Sequence, residues 1–257
     1  MVKIKEVLPN PTVQEVAFQI NFNNLLYIKN IAGDFQYDIM KLFEESSEFY
    51  RRKLVFFQKD GEVNSSDINN IPQEEYGKKV WRFSNKEKRI QVNLTTDSLN
   101  IVSKHHKTYK REGSHDKFRD IIQFVVDKFL EHVRIQKFNK IGLRYIDHCP
   151  LPEGELTNES FSQWYNTRFS LDTIDISKSK EIGLINIYKV GKCFIKYIEN
   201  YDLENEPRYV LDFDGYIKNI EVEKYLESTD EIYQNIFETF CDIIKEPVLE
   251  IMKEEKK

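Results

Sequence analysis

The densest group of side chains able to do chemistry is Ser103-Lys104-His105-His106-Lys107-Thr108-Tyr109-Lys110-Arg111. Two imidazoles that titrate near neutral pH suit general acid and base in a weak, metal-independent ribonuclease, and the cations suit a phosphate backbone. Adjacent residues of an extended chain point to opposite sides, so His105 and His106 are not expected to share one scissile phosphate. Phosphate contact by Lys104, His105, His106, Lys107, Lys110 and Arg111 is the stronger form of this reading. A plain solvated loop rich in lysine competes with it on equal terms.

The second candidate is Arg144, set in Ile141-Gly142-Leu143-Arg144-Tyr145-Ile146-Asp147. Ile141, Leu143 and Tyr145 share one side of a strand, which puts Arg144 on the other. Tyr209, Leu211 and Phe213 in the same way leave Asp212 and Asp214 opposite them, and Asn21, Asn93 and Lys196 have matching parity. Two readings stand side by side. Arg144 and Asp212 pair across neighbouring strands, worth roughly a few tenths of a kcal/mol when exposed. Alternatively, Arg144 presents a forked donor to a phosphate, a carboxylate or a partner chain.

Other constellations are weak. His115, His132 and His148 belong to no HExxH, and Cys149, Cys193 and Cys241 are too few and too far apart for a disulfide framework or a metal knuckle. His148 and Cys149 are sequence neighbours, a poor geometry for a nucleophile and its base. Neither GxGxxG nor GxxxxGK[ST] occurs. No catalytic residue, metal or cofactor is expected. Lys plus Arg number 38 against 43 Asp plus Glu, a net charge of -5, so no global field favours nucleic acid. Few cysteines, no signal-peptide pattern and no apolar run near ~18 residues point to a cytoplasmic protein without a membrane span.

These residues need elements to hold them. Val13 to Phe22 alternates as a strand with one wet face, and Phe35, Ile39, Leu42 and Phe43 recur at helical spacing behind Asp34, a candidate N-cap after the turn-like Ala32-Gly33. Tyr50 to Phe57 is a candidate short strand and Lys59 to Lys79 reads as a polar loop. Val80-Phe83, Ile90-Leu94 and Leu99-Val102 form an antiparallel meander, and Phe118 to Val133 a long amphipathic helix. The order then repeats: the Arg144 strand, a helix over Phe161 to Phe169, strands at Gly183-Tyr188, Cys193-Ile198 and Tyr209-Phe213, and a final helix through Ile232 to Ile244, interrupted at Pro247. The acidic Glu199 to Glu206 reads as a solvated hairpin loop.

The expected fold is therefore α+β, a single pseudo-twofold domain over residues 1-257. Two β-α-β-β-β-α halves, 11-135 and 138-253, form one wide antiparallel sheet with the long helices on one face.

Trp81-Arg82-Phe83-Ser84, Leu143 to Asp147, Leu211-Asp212-Phe213-Asp214 and the late Phe237 to Met252 resemble, in order, a sporadically distributed family of uncharacterised bacterial and archaeal proteins of about this length. The resemblance spans nearly the whole chain. It implies an accessory gene of the kind found beside mobile or defence systems and assigns no chemistry. The expectation is a non-enzymatic recognition protein, antitoxin-like in type, that meets a protein partner or another copy of itself through the polar sheet face around Arg144. The alternative is a binder of single-stranded RNA or a nucleotide that uses the His105-His106 loop.

Overall fold

The computed structural model describes residues 2-4, 7-52, 77-110, 116-202 and 208-254. Nine strands form one antiparallel sheet: β1 (Val13–Asn21), β2 (Glu45–Arg52), β3 (Gly77–Asn85), β4 (Ile90–Leu94), β5 (Ser98–Ser103), β6 (Lys137–Cys149), β7 (Glu181–Val190), β8 (Cys193–Asp202) and β9 (Arg208–Glu221). Their order is β2-β3-β4-β5-β1-β6-β9-β8-β7. The described helices are α1 (Ile28–Ile39), α2 (Phe118–His132), α3 (Asn158–Trp164), α4 (Tyr225–Ile243) and α5 (Glu246–Lys253). None is long and apolar enough to cross a membrane.

β6 sits at the centre because it can pair on both sides. Its Ile141, Leu143, Tyr145 and Asp147 are buried, and it hydrogen-bonds β1 along one edge and β9 along the other. Period-two burial gives the sheet one covered side. Phe129 of α2 meets Phe22 at 5.2 Å between ring centroids, and Phe35 of α1 meets Phe83 at 5.5 Å. α4 lies so close over β9 that a Cβ at Gly215 would stand 2.5 Å from Ile232 Cγ2. Glycine permits that approach.

Several elements depart from the pattern reading. α1 begins at Ile28, so Asp34 lies inside the helix and is no cap. Its buried stripe, Ile28, Ile31, Ala32, Phe35 and Ile39, outweighs the cost of about 1 kcal/mol for Gly33 in a helix interior. The helix expected to run to Phe169 stops at Trp164. There Asn166 donates to the Ile243 carbonyl at 2.7 Å and Lys245 donates to the Trp164 carbonyl at 2.9 Å, so the end of α4 captures the chain. The same exchange separates α4 from α5, with Pro247 placed in the first turn of α5 where a missing N–H costs nothing.

The strand expected from Tyr50 starts earlier, at Glu45; residues 53-57 lie outside the described residues. So do 59-76 of the expected polar loop, whereas Gly77, Lys78 and Lys79 belong to β3. β9 runs eight residues beyond Phe213, to Glu221. Glu199 to Asp202 are strand, not loop, and 203-206 are outside the described residues.

Candidate binding face

Antiparallel registers fix which side chains are neighbours on the side of the sheet opposite the buried one. One continuous row crosses all nine strands: Glu45, Ser84, Gln91, Val102, Ala17, Arg144, Asp214, Lys196 and Ile187. The adjacent row reads Ser47, Arg82, Asn93, Asn100, Gln19, Gly142, Tyr216, Phe194 and Lys189. The Arg144 head leans along the strand toward Asp212, which stands in register with Ile146, while Gly142 on the other side of Arg144 is covered by the Lys140 side chain.

Arg144 forms a two-pronged bond to Asp212, Nε to Oδ1 at 2.8 Å and Nη2 to Oδ2 at 2.6 Å. The hydrogen bond to Asp212 keeps the guanidinium charged against its partial burial, and the charges of Asp214 and Glu15 add to this. Arg144 is 47% exposed and Asp212 13%. A guanidinium carries five N–H donors. Two are held by Asp212, which fixes the orientation of the side chain.

The other expected members of this face are spread along it. Asp214 stands opposite both Arg144 and Lys196 in register. Asn93 accepts from Arg82 Nε at 2.9 Å, three strands from Arg144. Asn21 pairs in register with Ser98 and Lys140 at the far end of β1.

Beside Glu15 the face sinks into a hollow of about 590 Å³ lined by Glu45, Arg82, Lys86, Arg89, Gln91 and Lys104 among others. Four cations face two carboxylates there. Glu45 holds Lys86 at 2.5 Å, and Glu15 lies 3.8 Å from Lys104.

The structure divides the basic loop. Lys104 joins the hollow, Lys107 Nζ donates to the Val13 carbonyl at 2.5 Å, and Lys110 lies 3.6 Å from Asp230. Arg111 and His115 are outside the described residues. His105 and His106 do not diverge as expected, because they sit in a bend after β5 and not in an extended strand. Both rings turn onto the Asp116 carboxylate, His106 Nε2 at 3.0 Å from Oδ1 and His105 Nε2 against Oδ2. Ser103 Oγ stands 2.8 Å from His106 Nδ1.

The order Ser103, His106, Asp116 has the outline of a nucleophile relay. The surroundings give it another use. Ser103 is fully buried, and its oxygen accepts the backbone N–H of His105 at 3.2 Å and of His106 at 3.1 Å, which closes the turn. Burial depresses the His106 pKa although the Asp116 charge opposes it. Burial acts upward on Asp116, but its bond to His105 and the charges of His106 and Lys88 outweigh that and hold it below the usual range. The cluster ties the loop ahead of α2 to Asp116, with Ser103 and His106 buried and His105 and Asp116 at the surface.

Two carboxylates outside the expected site residues are buried, Asp147 and Glu199. Asp147 lies on the covered side of β6, in a cavity of about 70 Å³ lined by Tyr109, Tyr145, Tyr233 and Phe237 among others, where Thr12 Oγ1 donates to it at 2.7 Å. Burial raises its pKa to about 7, against the Thr12 bond and the Lys107 charge. Glu199 lies on the covered side of β8, where it accepts from Tyr209 Oη at 2.7 Å, from the Arg168 backbone N–H at 2.7 Å and from Thr167 Oγ1. Continuing the parity of Ile141-Leu143-Tyr145 and of Cys193-Ile195-Tyr197 by one step marks both. Cys149 is buried and its thiol is pushed up by that burial, far from a reactive thiolate.

Aromatic rings also reach the open side. Phe194 and Tyr216 stack at 5.2 Å and 12°, with Lys140 at 4.4 Å over Tyr216 and Lys189 at 5.4 Å over Phe194. The two rings are thus engaged with one another and with lysines on the open side. Among the described residues no group of three or more His, Cys, Asp or Glu is arranged to hold a metal. Comparison with protein-family models and with curated proteins finds no match to this chain.

Proposed function

We propose that this is a recognition protein that binds a protein partner through the open sheet face, with Arg144 as the central contact. The single observation that carries the reading is the fork between Arg144 and Asp212, which fixes the guanidinium while leaving it half exposed. A pre-oriented arginine loses little freedom on meeting a carboxylate, and such residues dominate interface energetics. Asp214, Lys196 and Glu15 around it supply alternating charge that selects a complementary partner.

The scaffold in this reading is two like halves. Strands β1-β5-β4-β3 run one way from the centre and β6-β9-β8-β7 the other, with β2 added at one edge, an order that supports a pseudo-twofold relation. The family resemblance supports an accessory, antitoxin-like role beside a mobile or defence system, and the few, widely separated cysteines support a cytoplasmic setting. The test is affinity capture from the native host with the wild type and with Arg144→Ala and Asp212→Ala. Loss of the same captured protein in both variants supports the reading, and retention of every captured protein by both refutes it.

A second reading rests on the hollow, where Arg82, Arg89 and Lys104 converge. It makes the anionic ligand a nucleotide or single-stranded RNA, held by phosphate contact and without involvement of His105 and His106. Binding that weakens with salt and falls in Arg89→Ala and Lys104→Ala supports it; binding absent or indifferent to salt disposes of it.

A further inference from the structure

β7 closes one end of the sheet, and its outer edge has the features that drive strand-to-strand association. It runs ten residues, Glu181–Val190, about twice the common strand length. It pairs with β8 without a register shift and contains no proline, so neither of two usual protections for an edge is present. Among the described residues, no backbone hydrogen bond other than those to β8 reaches it. Its open-side residues include Ile185 and Ile187, 65% and 62% exposed, beside Ile198 of β8.

We propose that β7 pairs antiparallel with β7 of a second copy of this chain, about a twofold axis through Ile185, so that two sheets become one. Three features select this occupant and this register, and all lie on the same side of the strand. Ile185 meets its own copy on the axis. Ile187 falls opposite Gly183 of the second copy, where no atom lies within 4 Å of the absent Cβ, so the isoleucine fills vacant space. Glu181 falls opposite Lys189, and neither forms an ion pair among the described residues of one chain.

The symmetry places each of these contacts twice, so a one-chain change counts twice in the dimer. A different protein strand would have no reason to carry this self-complementary series. The pairing uses the outer edge of β7 and leaves Arg144, three strands inward, uncovered. It is therefore independent of the partner reading above.

Sedimentation velocity over about a hundredfold range of concentration tests the proposal. The wild type is expected to reach a dimer at the upper end. Glu181→Lys and Lys189→Glu are each expected to weaken it about tenfold or more, since like charges then stand opposite one another twice. The double exchange Glu181→Lys/Lys189→Glu is expected to restore it, and Ile187→Lys to give a monomer. These side chains are exposed, so the variants fold. A wild type that stays monomeric throughout, a dimer unaffected by Ile187→Lys, or a double exchange that fails to restore pairing overturns the proposal.

Discussion

Tyr209 donates its hydroxyl to Glu199 Oε2 at 2.7 Å, and both side chains are fully buried. With Thr167 and the Arg168 N–H as further donors, the carboxylate is satisfied where no water reaches it. Removing Glu199 orphans three donors at once, and Glu199→Ala is expected to cost about 3 kcal/mol. Tyr209→Phe removes one donor and is expected to cost about 1 kcal/mol. Urea denaturation midpoints measure both, and equal losses would show that the network does not act as described.

Asp147 carries a pH signature. Its folded pKa is raised to about 7 from 3.8, so the native state holds a proton that the unfolded chain releases. The stability from this group is complete below the unfolded value and falls as pH rises from about 4 to about 7, by on the order of 4 kcal/mol. Thr12, Lys107 and the Asp212 charge act on the same carboxyl. In Asp147→Asn this slope is expected to vanish. The stability of the variant relative to wild type should climb across that window and level off above it, as read by denaturation at stepped pH.

Two glycines should respond to alanine with opposite signs. At Gly33, in α1, no atom lies within 4 Å of the added Cβ, and Gly33→Ala is expected to stabilise by about 0.5 to 1 kcal/mol. At Gly215 the Cβ meets Ile232 at 2.5 Å, Ile195 at 3.0 Å and Ile236 at 3.2 Å, and Gly215→Ala is expected to cost about 1 to 3 kcal/mol. Thermal midpoints of the pair measure how tightly α4 is seated on β9.

Arg144→Lys separates recognition from stability. An exposed pair contributes about 0 to 1 kcal/mol, so this variant should unfold close to wild type. Lysine cannot make the fork to Asp212, and capture of the partner should fall as far as in Arg144→Ala. Full partner binding by Arg144→Lys would mean that charge alone suffices.

The alternation in Val13 to Phe22, Ile141 to Asp147 and Tyr209 to Phe213 made the sheet and the outward direction of Arg144, Asp212 and Asp214 readable, because period two leaves little choice when one side is buried. The bond between Arg144 and Asp212 matches one of the two readings of Arg144, the cross-strand ion pair. Asp147 and Glu199 were passed over because acidic residues are rarely buried, although their parity placed them inward. Asp116 was invisible as the anchor of His105 and His106, since a bend after β5 breaks the alternation. Gly33 misled in the opposite direction, where packing of Ile31 and Phe35 overrode a local turn signal.

The pairing of β1 with β6 sets an order on biosynthesis. Phe18 lies in register with Leu143, so the middle of the sheet joins segments made far apart in time. On the ribosome, β1 can gain β5 as a neighbour early, but its other edge stays bare until residues 137-149 have emerged. That nascent interval is when the chain is most open to capture by chaperones or by a neighbouring copy, and a pause in translation before β6 lengthens it.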